Sequence, residues 1–121
     1  LAQHITDEQR QRYNKRKKQY YAENSHYWRD RQYRKKYQLS IDDVQKMLDE
    51  QGHECALCYK HINLDNDSKR TGSKAHVDHC HYTGNIRAML CFKCNAMLGD
   101  AYDDPKRLRA GAAYLEKHNA K

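Results

Sequence analysis

The spacing of apolar and polar positions changes character along the chain. Residues 8–37 contain no Pro or Gly, and their apolar stripe is thin and aromatic: Tyr13, Tyr20 and Tyr27 recur every seven residues, joined by Trp28, Tyr33 and Tyr37. This helical spacing predicts one long helix over residues 8–37, about 45 Å in length at 1.5 Å per residue. A different pattern starts at Ser40. Ile41, Val44 and Leu48 form a compact apolar face, Ser40 with Asp43 makes a capping-box-like start, and Gly52 suits the C′ stop.

Residues 60–73 are polar and turn-rich (Asn63, Asp65, Asn66, Asp67, Ser68, Gly72), which predicts a loop. Residues 74–81 read as a short strand, Tyr82-Thr83-Gly84-Asn85 as a turn and Ile86–Leu90 as the returning strand of a hairpin. A short helix is expected over Cys91–Leu98, closed by Gly99. Asp104-Pro105 starts the last helix, with Asp as N-cap and Pro at N1, and places Leu108, Ala112 and Leu115 on one face to cover the core. The expected class is α+β: a small zinc-stabilised domain over residues 38–121 with flanking helices, preceded by a basic, aromatic helical arm over residues 1–37.

Charge sharpens the division. The chain of 121 residues carries 23 Lys+Arg against 16 Asp+Glu, a net +7. Residues 1–37 hold 11 basic and 4 acidic residues, so the whole surplus lies in the arm and the remaining 12 of each sign cancel. A concentrated basic stretch suits a phosphate backbone, because released counterions favour binding. Arg12, Arg16, Lys17, Arg29, Arg34 and Lys35 are the candidate nucleic-acid contacts, and the interleaved Tyr residues can stack on bases. The alternative for the stripe is packing, on the chain's own domain or on a second copy in a homodimer.

No apolar run reaches membrane-spanning length, so no membrane partner is expected. The N-terminus is polar from Gln3 onward, unlike a secretory leader, and Leu1 stands where an initiator Met would, as in a trimmed or engineered piece. With hydrophobic content of 38% and a single Phe, a structural metal is a natural supplement to a small core.

The cysteines supply one. Cys55-Ala-Leu-Cys58 and Cys91-Phe-Lys-Cys94 are paired at knuckle spacing, a pattern for a four-thiolate zinc site rather than a disulfide framework, in a reducing, intracellular protein. A site with four sulfur ligands has no open position, so its role is structural. Residues 59–90 between the pairs are more than a simple ribbon needs and hold the hairpin. The fifth cysteine, Cys80, alternates away from its two His neighbours and is expected to be buried and inert.

His76-Val77-Asp78-His79-Cys80-His81 packs three imidazoles and a carboxylate into one strand. A second zinc site there lacks a fourth soft ligand, which leaves a hard-metal and general-base site. A carboxylate oxygen suits Mg²⁺, and a His with an ordinary pKa of about 6.5 can take a proton from water near neutral pH.

These motifs in order resemble the recombination endonuclease VII family of phage and bacterial HNH (ββα-metal) nucleases: the run from Asp49 to Cys58, then His76 to His81, then Thr83 to Asn95, then Leu98-Gly99 and Asp103-Asp104-Pro105. The resemblance covers about residues 38–117. It implies a DNA endonuclease in which Asp78 and Asn95 hold a catalytic Mg²⁺ or Mn²⁺, His79 activates water, and His76 and His81 position phosphate or substrate. The substrate class stays open between branched DNA and duplex to be nicked or cut. A non-enzymatic zinc-binding nucleic-acid module is the alternative reading, against which the presence of Asp78, His79 and Asn95 counts.

Overall fold

The computed structural model describes residues 4–65 and 72–119. Asn66, Asp67 and Ser68 of the expected loop lie outside the described residues. The fold is α+β, with five helices and a two-stranded antiparallel sheet among the described residues. The helices are α1 (Asp7–Glu23), α2 (Ser25–Tyr37), α3 (Ile41–Glu50), α4 (Phe92–Asp100) and α5 (Pro105–Asn119), and the strands are β1 (Ala75–His79) and β2 (Ile86–Cys91). The chain forms two compact units, Leu1–Asp43 and Val44–Lys121.

In the first unit the expected long helix is interrupted at one residue. Asn24 leaves helical geometry (φ −110°, ψ 22°), and its side-chain amide donates to the Tyr20 carbonyl at 2.8 Å. Asn competes in this way for the backbone of its own helix, which the thin apolar stripe does little to oppose. The ladder nevertheless spans the break, since the Asn24 N–H bonds Tyr20 and the Trp28 N–H bonds Asn24. Thr6 and Gln9 form a reciprocal capping box at the start of α1. No residue of α1 or α2 is buried, and Tyr13, Tyr20 and Tyr27 are exposed. Tyr21 and Trp28 lie with ring centroids 5.3 Å apart.

Asp30 ties α2 to the start of α3. Its carboxylate accepts from the Ile41 N–H and from Arg34 Nε, each at 2.8 Å. The Ile41 bond first, then Arg34, hold the Asp30 carboxyl below its ordinary range. Ser40 and Asp43 exchange side-chain to backbone bonds of 2.9 and 3.0 Å, the expected cap.

In the second unit α3 ends in a Schellman turn. His53 N–H bonds the Leu48 carbonyl and Gly52 N–H bonds that of Asp49, both at 3.0 Å, with Gly52 at φ 64°. This turn delivers Gln51 to the edge of β2. Gln51 Oε1 accepts from the Met89 N–H at 2.8 Å while its Nε2 donates to the Met89 carbonyl at 2.9 Å, so one side chain pairs as a strand residue would.

The core is formed by Val44, Leu48, Cys55, Ile62, Leu64, Ala75, Val77, Met89, Leu90, Cys91, Cys94 and Ala101. Residues 60–65 carry no helix or extended strand, in keeping with a loop, but Ile62 and Leu64 within it are buried. Their alternate apolar spacing is a strand signal, and Asn63 does pair with the hairpin: its N–H bonds Ser73 and its carbonyl accepts from Ala75, both at 2.9 Å.

The hairpin pairs Ala75 with Cys91, His76 with Leu90 and Val77 with Met89, then slips so that His79 meets Ile86. The slip breaks strict alternation, and Val77 and Asp78 are both buried. Gly84 takes φ 76° in the turn, as expected. Helix α4 packs on both strands. It runs through Gly99, which does not stop it; the turn comes later, with Tyr102 N–H on Gly99 and Asp103 N–H on Leu98. Tyr102 and Asp103 both have positive φ, at 56° and 53°.

Asp104 caps α5 through a 3.0 Å bond to the Lys106 N–H. The expected cover by α5 is corrected, because none of its residues is buried and Leu115 is 56% exposed. Its apolar face instead lines an open groove of about 650 Å³ with Leu57 and Met97.

Gln51→Ala takes the side-chain acceptor from the N–H of the fully buried Met89 and leaves its carbonyl with the Ala56 N–H at 3.2 Å. It should lower stability by about 1–3 kcal/mol in urea unfolding of the zinc-loaded chain; loss below about 0.5 kcal/mol would show that the clasp contributes little.

Candidate active site and metal centre

Two local structures bring the cysteines together. The knuckle after α3 folds on itself, with Cys55 N–H bonding Lys60 at 2.8 Å and Tyr59 N–H bonding Cys55 at 2.9 Å. The end of β2 supplies Cys91, which is also the N-cap of α4, and the first turn of α4 supplies Cys94. The Sγ atoms of Cys55, Cys58, Cys91 and Cys94 all lie within 4.8 Å of one another. Cys58 Sγ and Cys91 Sγ are 3.8 Å apart. Tetrahedral zinc with bonds of about 2.3 Å has an edge of about 3.8 Å, so the spacing fits the ion.

The electrostatics ask for a cation there. Burial works against ionising Cys55, but the backbone N–H groups of Cys58, Cys91 and Leu57 outweigh it and bring the thiol down to about 6. Cys94 is pushed well up by burial and by the neighbouring sulfurs of Cys91, Cys58 and Cys55. One thiolate forms readily and makes the next harder to form, a conflict that a bound divalent cation removes. The four cysteines thus fit a structural zinc ion that joins the knuckle to the hairpin and α4.

The histidine-rich strand lies beside this cluster through β2 and α4. Asp78 is 4% exposed, and its carboxylate is gripped by Arg87 of the facing strand: Nε to Oδ2 at 2.6 Å and Nη2 to Oδ1 at 2.9 Å. The same Nη2 reaches Asp103 Oδ1 at 3.2 Å. Asp103 Oδ2 accepts from the His81 backbone N–H at 3.1 Å and lies 3.8 Å from His81 Nδ1. That backbone bond first, then Arg87, hold the Asp103 carboxyl below its ordinary value. Hydrogen bonding to Asp78, then to Asp103, raises Arg87 against the opposing cost of burial.

The structure therefore brings Asp78, His79 and His81 into one neighbourhood. The rings of His79 and His81 have centroids 5.2 Å apart, and His81 is half-exposed. His76 is set nearer the start of α4, its ring 5.8 Å from that of Phe92. Asn95 sits partly buried on α4, directly after the sulfur ligand Cys94. Arg87 and Asp103 were not singled out by sequence reasoning. Their signal was an Arg placed opposite a strand Asp across a short hairpin.

Cys80 corrects an expectation. It lies past the end of β1, is only partly buried, and its thiol is held below its ordinary value by the Thr83 side chain first, then by the Thr83 and Tyr82 backbone.

On the arm, Arg16 and Lys17 line a shallow depression with Tyr13, Tyr20 and Tyr21, and Lys17 Nζ stands 6.0 Å from the Tyr21 ring centre. Arg12 lines a second depression with Glu8, Gln11 and Lys15. Arg34 has its Nε committed to Asp30. Arg29 and Lys35 lie in α2. Among the described residues no helix is long and apolar enough to cross a membrane.

Fold and site together define a small α+β domain in which a four-cysteine metal cluster braces a hairpin rich in His and Asp. The family model for recombination endonuclease VII matches residues 30–117. No curated protein and no solved structure matches the chain at a significant level. The chain belongs to the recombination endonuclease VII family and is a nuclease acting on DNA.

Removing zinc with a strong chelator should lower the melting temperature by at least about 10 °C, since structural zinc binding contributes folding free energy directly. Cys94→Ser should do the same without chelator. A melting curve indifferent to both treatments would refute a structural role for the cluster.

Proposed function

We propose that the chain is an HNH-type, metal-dependent DNA endonuclease in which His79 is the general base and Asp78 with Asn95 hold one Mg²⁺ or Mn²⁺. The observation that carries this reading is the burial of Asp78 beside His79, whose ring adjoins that of His81. Arg87 already matches the buried Asp78 carboxylate, and a carboxylate oxygen together with the amide oxygen of Asn95 would suit a hard divalent ion. When bound, the ion would supply charge that stabilises the phosphoryl and leaving 3′ oxygens.

The chain's own residues do the rest. His79 takes the proton of the attacking water. Asp103 fixes the His81 backbone and stands close to its ring, leaving that imidazole directed by a carboxylate toward a phosphate oxygen. His76, near the start of β1, is the second accessory histidine, which with His81 positions phosphate or substrate. The products expected on this reading are 5′-phosphate and 3′-hydroxyl ends.

The basic arm is the DNA clamp in this account. Exposed Tyr13 and Tyr20 beside Arg16 and Lys17 support it, as a stacking surface with cations at its rim. The arm holds aromatic and cationic groups but no base-reading module, which favours cutting guided by DNA shape, as at a branch, over a fixed sequence. Arg12, Arg29 and Lys35 complete the proposed phosphate contacts. Arg34 contributes less, because Asp30 neutralises it.

Two experiments test the reading. His79→Ala should cut the rate on a branched or nicked duplex by about 10²–10⁴-fold, the usual scale of a lost general base, while DNA binding and zinc content stay intact; a variant of full activity removes His79 from the mechanism. Neutralising Arg12, Arg16, Lys17 and Lys35 to Gln should weaken binding and shallow the log K against log salt slope by about 0.9 per lost contact. A slope unchanged from the parent would place the DNA elsewhere.

A further inference from the structure

Arg87 poses a problem for the proposed metal site. Its guanidinium fork occupies both oxygens of Asp78, at 2.6 and 2.9 Å. A divalent ion needs at least one of those oxygens as a ligand, so the fork must open when the ion enters. A guanidinium released there, its side chain 37% exposed, would give up two charge-assisted hydrogen bonds unless another acceptor stood within reach. The structure already holds one. Asp103 Oδ1 lies 3.2 Å from the same Nη2, and the Asp103 side chain is 4% exposed.

Asp103 is also fixed in place. Its N–H bonds the Leu98 carbonyl at 2.9 Å in the turn that ends α4, and its other oxygen holds the His81 N–H. Its backbone sits at φ 53°, in the left-handed region that Asp enters more readily than most non-glycine residues. The pocket thus contains two carboxylates and one guanidinium, arranged so that the cation can lean on either acid.

We propose that Arg87 is an exchangeable counter-ion: it holds Asp78 ready while the metal position is vacant, and passes to Asp103 when a divalent cation takes an Asp78 oxygen. Arg87 and Asp103 are then positioning residues, acting through the metal ligand and through His81. The exchange keeps both buried carboxylates matched by positive charge at every stage, and it couples metal entry to the turn that carries Asp103. This inference rests on Asp78 being a metal ligand, as in the function proposed above.

The test is a Mg²⁺ titration of the zinc-loaded full chain, followed by ¹⁵N NMR of the Arg87 Nε–H and of the backbone amides of residues 77–79. In the parent, both sets of signals should move along one saturation curve, because the Nε–H leaves Asp78 Oδ2 as the ion takes that carboxylate while Nη2 keeps Asp103. Asp103→Asn should need about tenfold more Mg²⁺, the scale of one charge-assisted hydrogen bond. An Arg87 signal that stays still while the strand amides saturate would overturn the exchange, and this arm needs no variant to fold. Equal Mg²⁺ affinity in a folded Asp103→Asn chain would overturn it as well. Asp78→Asn separates the two ideas: if that variant binds Mg²⁺ as the parent does, Asp78 is not the ligand, and it is the metal-site reading that fails.

Discussion

Four sulfurs held within 4.8 Å of one another require a cation if more than one of them is to ionise, and much of the fold is arranged around that requirement. The cluster joins two pieces of chain: the knuckle after α3, and the continuous run in which Cys91 ends β2 and caps α4 and Cys94 follows in the first turn of that helix. The hairpin itself is two short strands, too little to stand alone in water. The core beneath it is formed mainly by aliphatic side chains of modest size. Removing the cation would leave Cys55, Cys91 and Cys94 as buried thiols, with the knuckle tied to β2 through the Ala56 N–H and the Gln51 side chain on the Met89 backbone.

A second charged arrangement sits on the same hairpin. Asp78 is buried because the register slips between Val77 and His79, which turns two successive residues inward. The Arg87 fork makes that burial tolerable, and Asp103 anchors the fork to the end of α4. The cluster fixes one end of α4 and the Asp103 turn fixes the other. Asn95 lies on this helix between the two, and His81 is reached from its far end, where a Cβ on Gly99 would stand 3.5 Å from the His81 ring. Position in the site therefore depends on how well α4 is held at both ends.

Much of this was readable from residue order. The cysteine pairs, the cap at Ser40 and Asp43, the Gly52 and Gly84 turns and the Asp104-Pro105 start all depend on interactions within a few residues, and local chemistry specifies them. What escaped depends on distance along the chain. Gln51 clasping Met89 and Arg87 bridging Asp78 to Asp103 are pairings that only the folded hairpin creates. Ile62 and Leu64 were hidden by polar neighbours that made their segment look like loop. The break at Asn24 is a contest between one side chain and a weakly amphipathic helix, where a small local preference wins. The open face of α5 shows the opposite failure: its apolar spacing was read correctly, but periodicity does not say what, if anything, lies against it.

The central claim is that the sulfur cluster holds the strand of Asp78 and His79 in its working geometry. Amide hydrogen exchange at residues 75–79 and 86–91, recorded at a temperature below unfolding with zinc bound and after its removal, tests this most directly. Protection in both strands should collapse when the ion leaves, while that of α1 stays unchanged. Strand amides that stay protected without zinc would contradict it.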